Sequence, residues 1–194
     1  PHPTLPNPQG KGLAPPLEAL AAVRIRSAPP AKAMPQISME LFTALFILES
    51  RFSFKPVMER RYWLYRQQWR FHLSLIAPEE WGGLPPIGCA VGSCTLHPDL
   101  AWSLELTPEA ERDPELQAYL ERRRAAFEQT LGEADTVAAA LPYYRAELPF
   151  HARIFAAALA HSLHISAQRQ GIAALPCAQA FAQPLSARGS TRGN

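Results

Sequence analysis

The stretch YWLYRQQWRFHLSLI, residues 62–76, decides the fold of this chain. From Trp69 to Ile76, large apolar residues recur at every second position, and the preceding residues 62–66 are rich in aromatic side chains. A period of two in aromatic and branched residues is typical of β-strands. The stretch therefore predicts a β-hairpin that turns at Gln67 and Gln68, with its aromatic rings inward and its arginines outward.

Two further strands are predicted downstream of this hairpin. They cover Cys89–Leu96 and residues 102–106, and residues 97–99 separate them. Prolines and glycines punctuate the intervening residues 77–86, which indicates a loop with one helical turn opening at Pro78. The four strands are expected to form an antiparallel meander.

Helices are predicted on both sides of the strands. Ser38 is expected to cap a helix whose apolar residues recur at spacings of three and four and which ends near Ser50. The pairs Thr107-Pro108 and Asp113-Pro114 mark further helix starts, and a last apolar helical face covers residues 154–163. The predicted fold class is α+β, a small antiparallel β-meander of about four strands packed against several α-helices with disordered termini.

Proline placement divides the chain into three parts. Residues 1–35 contain prolines at positions 1, 3, 6, 8, 15, 16, 29, 30 and 35, which excludes long helices there. We expect residues 1–35 to be a flexible proline-rich arm, residues 36–172 a single α+β domain, and residues 173–194 a flexible C-terminal tail.

Composition limits the classes of partner. The 194 residues carry a formal net charge of +2, too close to neutral to require nucleic acid or an anionic membrane surface. The longest apolar stretch, Leu41–Leu48, is interrupted by Thr43 and is far shorter than the roughly 20 residues that span a bilayer. Three cysteines without a paired spacing argue against a disulfide framework, so a cytoplasmic location is expected.

The loops between the predicted strands hold candidate catalytic carboxylates. Glu79, Glu80 and Asp99 lie in such loops, where acid–base groups are commonly positioned by a rigid sheet. A small hydrolase would direct at least two of them into one pocket. The alternative is that they cap turns and remain in contact with water.

The last predicted helix holds candidate metal ligands. His161 and His164 are three residues apart, which places them on one helix face within reach of one ion. No carboxylate accompanies them in the manner of the H-E-x-x-H motif. Two partly exposed helix histidines are the alternative, and we expect no metal and no other cofactor.

The hairpin also allows a nucleic-acid interpretation. Trp63, Tyr65, Arg66 and Arg70 would form a stacking platform ringed by positive charge if they lay side by side on an exposed face. Burial of Trp63 or Tyr65 would remove that platform.

Part of the chain resembles a family of conserved proteins of unknown function. The resemblance rests on four short patterns spread over about 40 residues: Y-x-L-Y at Tyr62, Leu64 and Tyr65; P-E-E-W-G from Pro78 through Trp81 to Gly82; V-G at Gly92; and D-x-x-W ending at Trp102. Ala77 stands where the family has serine. The resemblance implies that these residues form a structural unit in the sheet, and it implies no activity.

The sequence therefore favours a non-catalytic accessory module that binds another protein through the exposed side of the sheet or the proline-rich arm. The hydrolase and the single-stranded nucleic-acid-binding module remain the alternatives.

Overall fold

The computed structural model describes residues 29–141, Leu148 and residues 150–183. The predicted termini at 1–28 and 184–194 lie outside the described residues. The helices are α1 Met34–Leu48, α2 Pro108–Arg112, α3 Pro114–Gly132, α4 Val137–Ala140, α5 Phe150–Gln170 and α6 Cys177–Ala182. The strands are β1 Arg61–Gln67, β2 Arg70–Ser74, β3 Cys89–Leu96 and β4 Trp102–Leu106. Among the described residues, no helix combines the length and the apolar character that crossing a membrane requires.

The α+β class and the four antiparallel strands are confirmed, but the strand order is not that of a simple meander. The order is β2-β1-β3-β4, so β3 pairs with β1 instead of β2. The loop after β2 returns across the end of β1, where Gly88 has a φ of +98° and a Cβ would lie 2.1 Å from the Arg66 carbonyl oxygen. Only glycine fits this close passage. The glycine is visible in the sequence, but the sequence does not show which strand the loop crosses.

The hairpin turn lies one residue later than predicted. Gln67 and Arg70 are the last paired residues, so Gln68 and Trp69 form the turn, with a φ of +57° at Gln68. Trp69 is therefore in the turn and not in the strand, and it is 46% exposed. Phe71 and Leu73 point into the core as expected.

Helix α1 begins four residues before the predicted cap. Pro35 occupies its first turn, where the missing N–H leaves no hydrogen bond unmade. Ser38 consequently lies inside the helix and is buried. The two later start signals are correct, because Thr107 accepts from the Ala110 N–H and Asp113 accepts from the Glu115 and Leu116 N–H groups.

The core lies between one face of the sheet and the helices. Helix α1 packs against β4, α3, α5 and α6, so its apolar face is covered on several sides. The fully buried residues with the largest side chains include Tyr62, Leu64, Leu41, Leu116 and Leu159. Burial of such side chains contributes roughly 1.5–3 kcal/mol each, which makes this face the main source of stability.

The residues of the family-like pattern occupy both faces of the sheet. Tyr62, Leu64, Tyr65, Gly92 and Trp102 are buried in the strands. A Cβ on Gly92 would lie 2.3 Å from the Glu105 carbonyl oxygen, so glycine permits the close approach of β4.

The P-E-E-W-G part of the pattern forms a tight turn on the outer face of the sheet. Residues Pro78–Trp81 form a single 3₁₀ turn that ends at Gly82 with a φ of +65°. Trp81 is half-buried there, and its Nε1–H donates to the Tyr65 hydroxyl at 3.0 Å. The helical turn expected at Pro78 is present.

The packed structure extends beyond the expected boundaries of 36 and 172. Lys32 lies in the predicted arm, yet it is only 3% exposed and bonds to Glu40 and Asp99. Cys177 and Ala180 lie in the predicted tail, yet both are buried in the core. The local sequence around Lys32, Cys177 and Ala180 does not predict their burial, because the residues that cover them are distant in the sequence.

Candidate binding groove

Two of the three loop carboxylates have structural partners. Glu80 accepts from the Ala77 N–H at 2.6 Å and so caps the 3₁₀ turn, while Glu79 is exposed. Asp99 accepts from the Ala101 N–H at 3.2 Å and from Lys32 Nζ at 2.9 Å. None of the three carboxylates lines the two cavities that lie between α1, α3 and the β1–β2 hairpin. This is the turn-capping arrangement, not the convergent pair that a hydrolase needs.

Ion pairing changes the pKa values of the Asp99 and Lys32 side chains. Burial alone would raise the pKa of Asp99, but its hydrogen bond to Lys32 and the attraction of that charge lower it. Burial alone would lower the pKa of Lys32, but its bonds to Glu40 and Asp99 raise it. Both groups are thus held in their charged forms, as expected for a structural pair.

The two histidines considered as metal ligands both lie on α5. His161 is exposed and His164 is half-buried. Within the described residues, no group of three or more histidine, cysteine or carboxylate side chains is placed to hold a metal ion.

The hairpin does not present the predicted stacking platform. Tyr65 is completely buried, because its hydroxyl donates to the Ile76 carbonyl at 2.8 Å and Trp81 packs edge-on against its ring. Trp63 is half-buried on the same face. The sheet face therefore lacks the adjacent free rings that successive bases require.

The structure brings together Ser103, His97 and Glu59, which the sequence did not indicate. Ser103 Oγ lies 2.9 Å from His97 Nε2, and His97 Nδ1 lies 3.8 Å from a Glu59 carboxylate oxygen. A serine, a histidine and a carboxylate placed in this order are the parts of a hydrolytic triad. The distance between His97 and Glu59 is too long for a hydrogen bond, however, and the Glu59 side chain is 65% exposed. These residues line neither described cavity, so the arrangement does not support hydrolysis.

A row of six aromatic rings crosses the face where α1, α3 and the β1–β2 hairpin meet. Consecutive ring centroids are 4.8 to 6.3 Å apart, in contacts that are stacked, tilted or edge-on. In order, the rings are Phe127, Phe42, Phe46, Phe71, Tyr119 and Trp69. Such geometries are favourable beyond simple burial. The row runs from the core to the surface, where Trp69 ends it.

Two adjoining cavities follow this row. One of about 350 Å³ lies between α1 and α3, and one of about 210 Å³ lies between α1, the hairpin and α3. Together we call them the aromatic groove, which is lined by the six rings, Leu45, Ser50, Ala126, Thr130, Glu49, Arg51, Arg70, Arg122 and Arg123. Both cavities share Phe46, Glu49, Tyr119 and Arg123, so these four residues lie where the cavities meet.

Arg123 is held at that junction by several contacts. It forms an ion pair with Glu49, donates to the Tyr119 hydroxyl at 3.3 Å, and lies 5.8 Å from the centre of the Phe46 ring. Burial alone would lower the pKa of Arg123, but its bonds to Glu49 and Tyr119 raise it. Its charge is therefore permanent, and its position is fixed between the two cavities.

The aromatic groove has a positive rim. Arg51, Arg70 and Arg122 are exposed, and none of the ion pairs found among the described residues includes them. Among the described residues of the lining, four arginines and one glutamate carry a formal charge of +3.

His72 lies close to two of the rim arginines, Arg51 and Arg70. It forms a bridge pair with Arg51 and follows Arg70 by two residues on β2. Burial lowers the pKa of His72, and the charges of Arg51 and Arg70 lower it further. His72 is therefore neutral at physiological pH and does not add to the positive charge of the rim.

Sequence reasoning missed the aromatic groove, although one signal was present. Tyr119, Arg123 and Phe127 are spaced by four residues, as are Phe42 and Phe46, so each set lies on one face of its helix. This spacing indicates an aromatic stripe on two helices. It does not indicate that the stripes face each other or that Trp69 closes the row.

Comparison of the chain with protein-family models, with curated proteins and with solved structures finds no match. The resemblance to a family of unknown function therefore stays a prediction.

Proposed function

We propose that this chain is a non-catalytic binding module that docks a segment of another protein in the aromatic groove. The observation that carries the proposal is Trp69, a tryptophan that is 46% exposed at the end of a packed row of rings and lines the smaller of two adjoining cavities. Tryptophan, tyrosine and arginine are the residues most enriched where protein interfaces gain their binding energy. The aromatic groove combines all three.

The aromatic groove replaces the two surfaces that the sequence suggested for this role. The outer face of the sheet carries the Trp81 turn, which packs on Tyr65. The greater part of the proline-rich arm, residues 1–28, lies outside the described residues. Docking through that segment is the competing form of the same proposal.

A non-catalytic role and a cytoplasmic location belong to the proposal. Of the carboxylates considered for catalysis, Glu80 caps a turn, Asp99 caps a turn and pairs with Lys32, and Glu79 is exposed. Cys89, Cys94 and Cys177 are free thiols, which suits a reducing compartment.

Site-directed photo-crosslinking tests the proposal. A photoreactive amino acid replaces Ala126, which lines the aromatic groove, or Gln168, which is exposed on α5. We expect one defined protein adduct in a native extract from position 126 and none from position 168. The captured protein is then purified and titrated against the full chain, where Trp69→Ala is expected to weaken binding about tenfold or more.

Two results would contradict this location. Adducts of the same protein from position 168 would place the contact elsewhere. Unchanged binding by Trp69→Ala, together with loss of binding when residues 1–28 are removed, would assign docking to the arm.

A further inference from the structure

The aromatic groove presents charge that the described part of the chain does not neutralise. Arg123 is paired with Glu49, but Arg51, Arg70 and Arg122 take part in no ion pair found within the described residues. Glu49 is the single carboxylate among the described residues of the lining. Exposed arginines that ring an apolar cavity select ligands of opposite charge, because like charges brought to the same rim are repelled.

The cavities limit the size and shape of what can enter. The volume of about 350 Å³ between α1 and α3 is bordered by Phe42, Phe46 and Phe127 and suits one large apolar side chain rather than an extended surface. The smaller cavity of about 210 Å³ includes Arg51 and Arg70 beside Trp69. The apolar floor and the charged rim therefore lie next to each other in one groove.

The exposed fractions of the six rings favour a peptide over a nucleic-acid strand as the ligand of the aromatic groove. A single strand needs successive rings with free faces. In the row, Phe46, Phe71 and Phe127 are buried, and Trp69 is the ring with a large exposed fraction. An apolar side chain can pack against such ring edges, whereas a series of bases cannot stack on them.

We propose that the docked segment is an acidic peptide with one aromatic or branched apolar anchor, the anchor entering the cavity between α1 and α3 and the carboxylates pairing with Arg51, Arg70 and Arg122. The inference rests on the proposed function and adds the chemistry of the partner. Arginine forms bidentate pairs with carboxylates, so the rim supplies both charge and orientation.

Selection from a peptide display library tests the partner's chemistry with the full chain. The probe is a random library of roughly twelve-residue peptides, and we expect the enriched sequences to carry aspartate or glutamate around an aromatic, leucine or isoleucine residue. An enriched peptide is labelled and titrated by fluorescence anisotropy. Replacing its anchor with alanine, or its carboxylates with amides, is expected to weaken binding about tenfold.

Charge reversal on the protein separates the rim from general electrostatics. Arg70→Glu and Arg122→Glu are each expected to weaken the acidic peptide about five- to tenfold. Lys55→Glu makes the same change in charge at an exposed residue outside the groove lining and is expected to change affinity less than twofold. Circular dichroism and thermal melting of each variant confirm that it is folded.

Four outcomes would overturn the inference. They are enrichment of neutral or basic peptides, absence of any enriched peptide, equal weakening by Lys55→Glu, and tighter binding of an oligothymidine strand than of any selected peptide at the same site. Neutral peptides that still depend on Trp69 would refute the acidic partner and leave the docking function standing. Peptides that ignore both Trp69 and the arginines would refute both.

Discussion

Two tryptophans of the family-like pattern end in different environments. Trp102 is 3% exposed in the core, whereas Trp81 lies half-buried on the outer face, bonded to the Tyr65 hydroxyl. The resemblance to the family of unknown function implied that both rings belong to one structural unit in the sheet. Trp102 is packed in the core, whereas Trp81 is only partly buried, because the 3₁₀ turn that carries it lies on the outer face of the sheet and not between the sheet and the helices.

Alanine substitution of these tryptophans should have unequal effects. Trp102→Ala removes a core ring and is expected to lower the free energy of unfolding by about 3–5 kcal/mol. Trp81→Ala removes a partly exposed ring and one hydrogen bond, so we expect about 1–2 kcal/mol. Urea denaturation followed by circular dichroism measures both. Equal losses would mean that the outer turn is as important to stability as the core.

At the scale of elements, Lys32 joins three parts of the fold. Its Nζ lies 2.6 Å from a carboxylate oxygen of Glu40 on α1 and 2.9 Å from one of Asp99 in the turn between β3 and β4. The residues before α1 are thereby attached to the sheet. The sequence placed Lys32 in a flexible arm because no local pattern marks a partner 67 residues away.

The ion pair between Lys32 and Asp99 should make the free energy of unfolding depend on pH in both the acid and the alkaline range. The pKa of Asp99 is lower in the folded chain, so the unfolded chain binds the extra proton and stability falls as pH falls from about 4 through the lowered pKa. The pKa of Lys32 is higher in the folded chain, so its contribution is complete below its usual value of 10.5 and is lost as pH rises through the raised pKa.

Lys32→Met tests this dependence. It is expected to flatten both limbs of the stability curve and to cost about 1–3 kcal/mol at neutral pH, less than a fully buried pair because the Asp99 side chain is 31% exposed. Lys55→Met, at an exposed site, serves as the matched control. If both variants keep the acid limb of the unmodified chain, Asp99 is not the group responsible.

At the scale of the whole molecule, the chain beyond Ile172 helps to close the core. Cys177 and Ala180 of α6 are buried, and α1 packs against this helix. The carbonyls of Ala173 and Leu175 accept from the N–H groups at the start of α4, at 2.8 and 3.0 Å. The segment predicted to be a flexible tail thus supplies both apolar contacts and hydrogen bonds up to Gln183.

Truncation distinguishes a packed segment from a tail. Ending the chain after Ile172 is expected to lower the free energy of unfolding by about 3–5 kcal/mol, since it exposes apolar surface and leaves two donors of α4 unpaired. Ending it after Gln183 keeps every contact named above and is expected to cost much less. Differential scanning calorimetry compares the two, and identical melting temperatures would contradict the packing of α6.

The amount of structure that was predictable differs between local and distant features. Helix starts at Thr107 and Asp113 were predictable because a cap and a first-turn proline act within four residues. The turn at Gln68 was misplaced by one residue, because no Asn-Gly signal marks it. The pairing of β3 with β1 was missed, because it depends on the return path of a whole loop.

The sequence by itself determined the α+β class, the four strands and the helix starts at Thr107 and Asp113, because these follow from side-chain periodicity and from bonds within one turn of backbone. Only the tertiary structure decided the strand order, the burial of Lys32 and the aromatic groove. Each of these requires residues far apart in the chain to meet. Phe42, Tyr119 and Trp69 join one row of rings only after α1, α3 and the hairpin have packed, and the rim of exposed arginines exists only on that assembled surface.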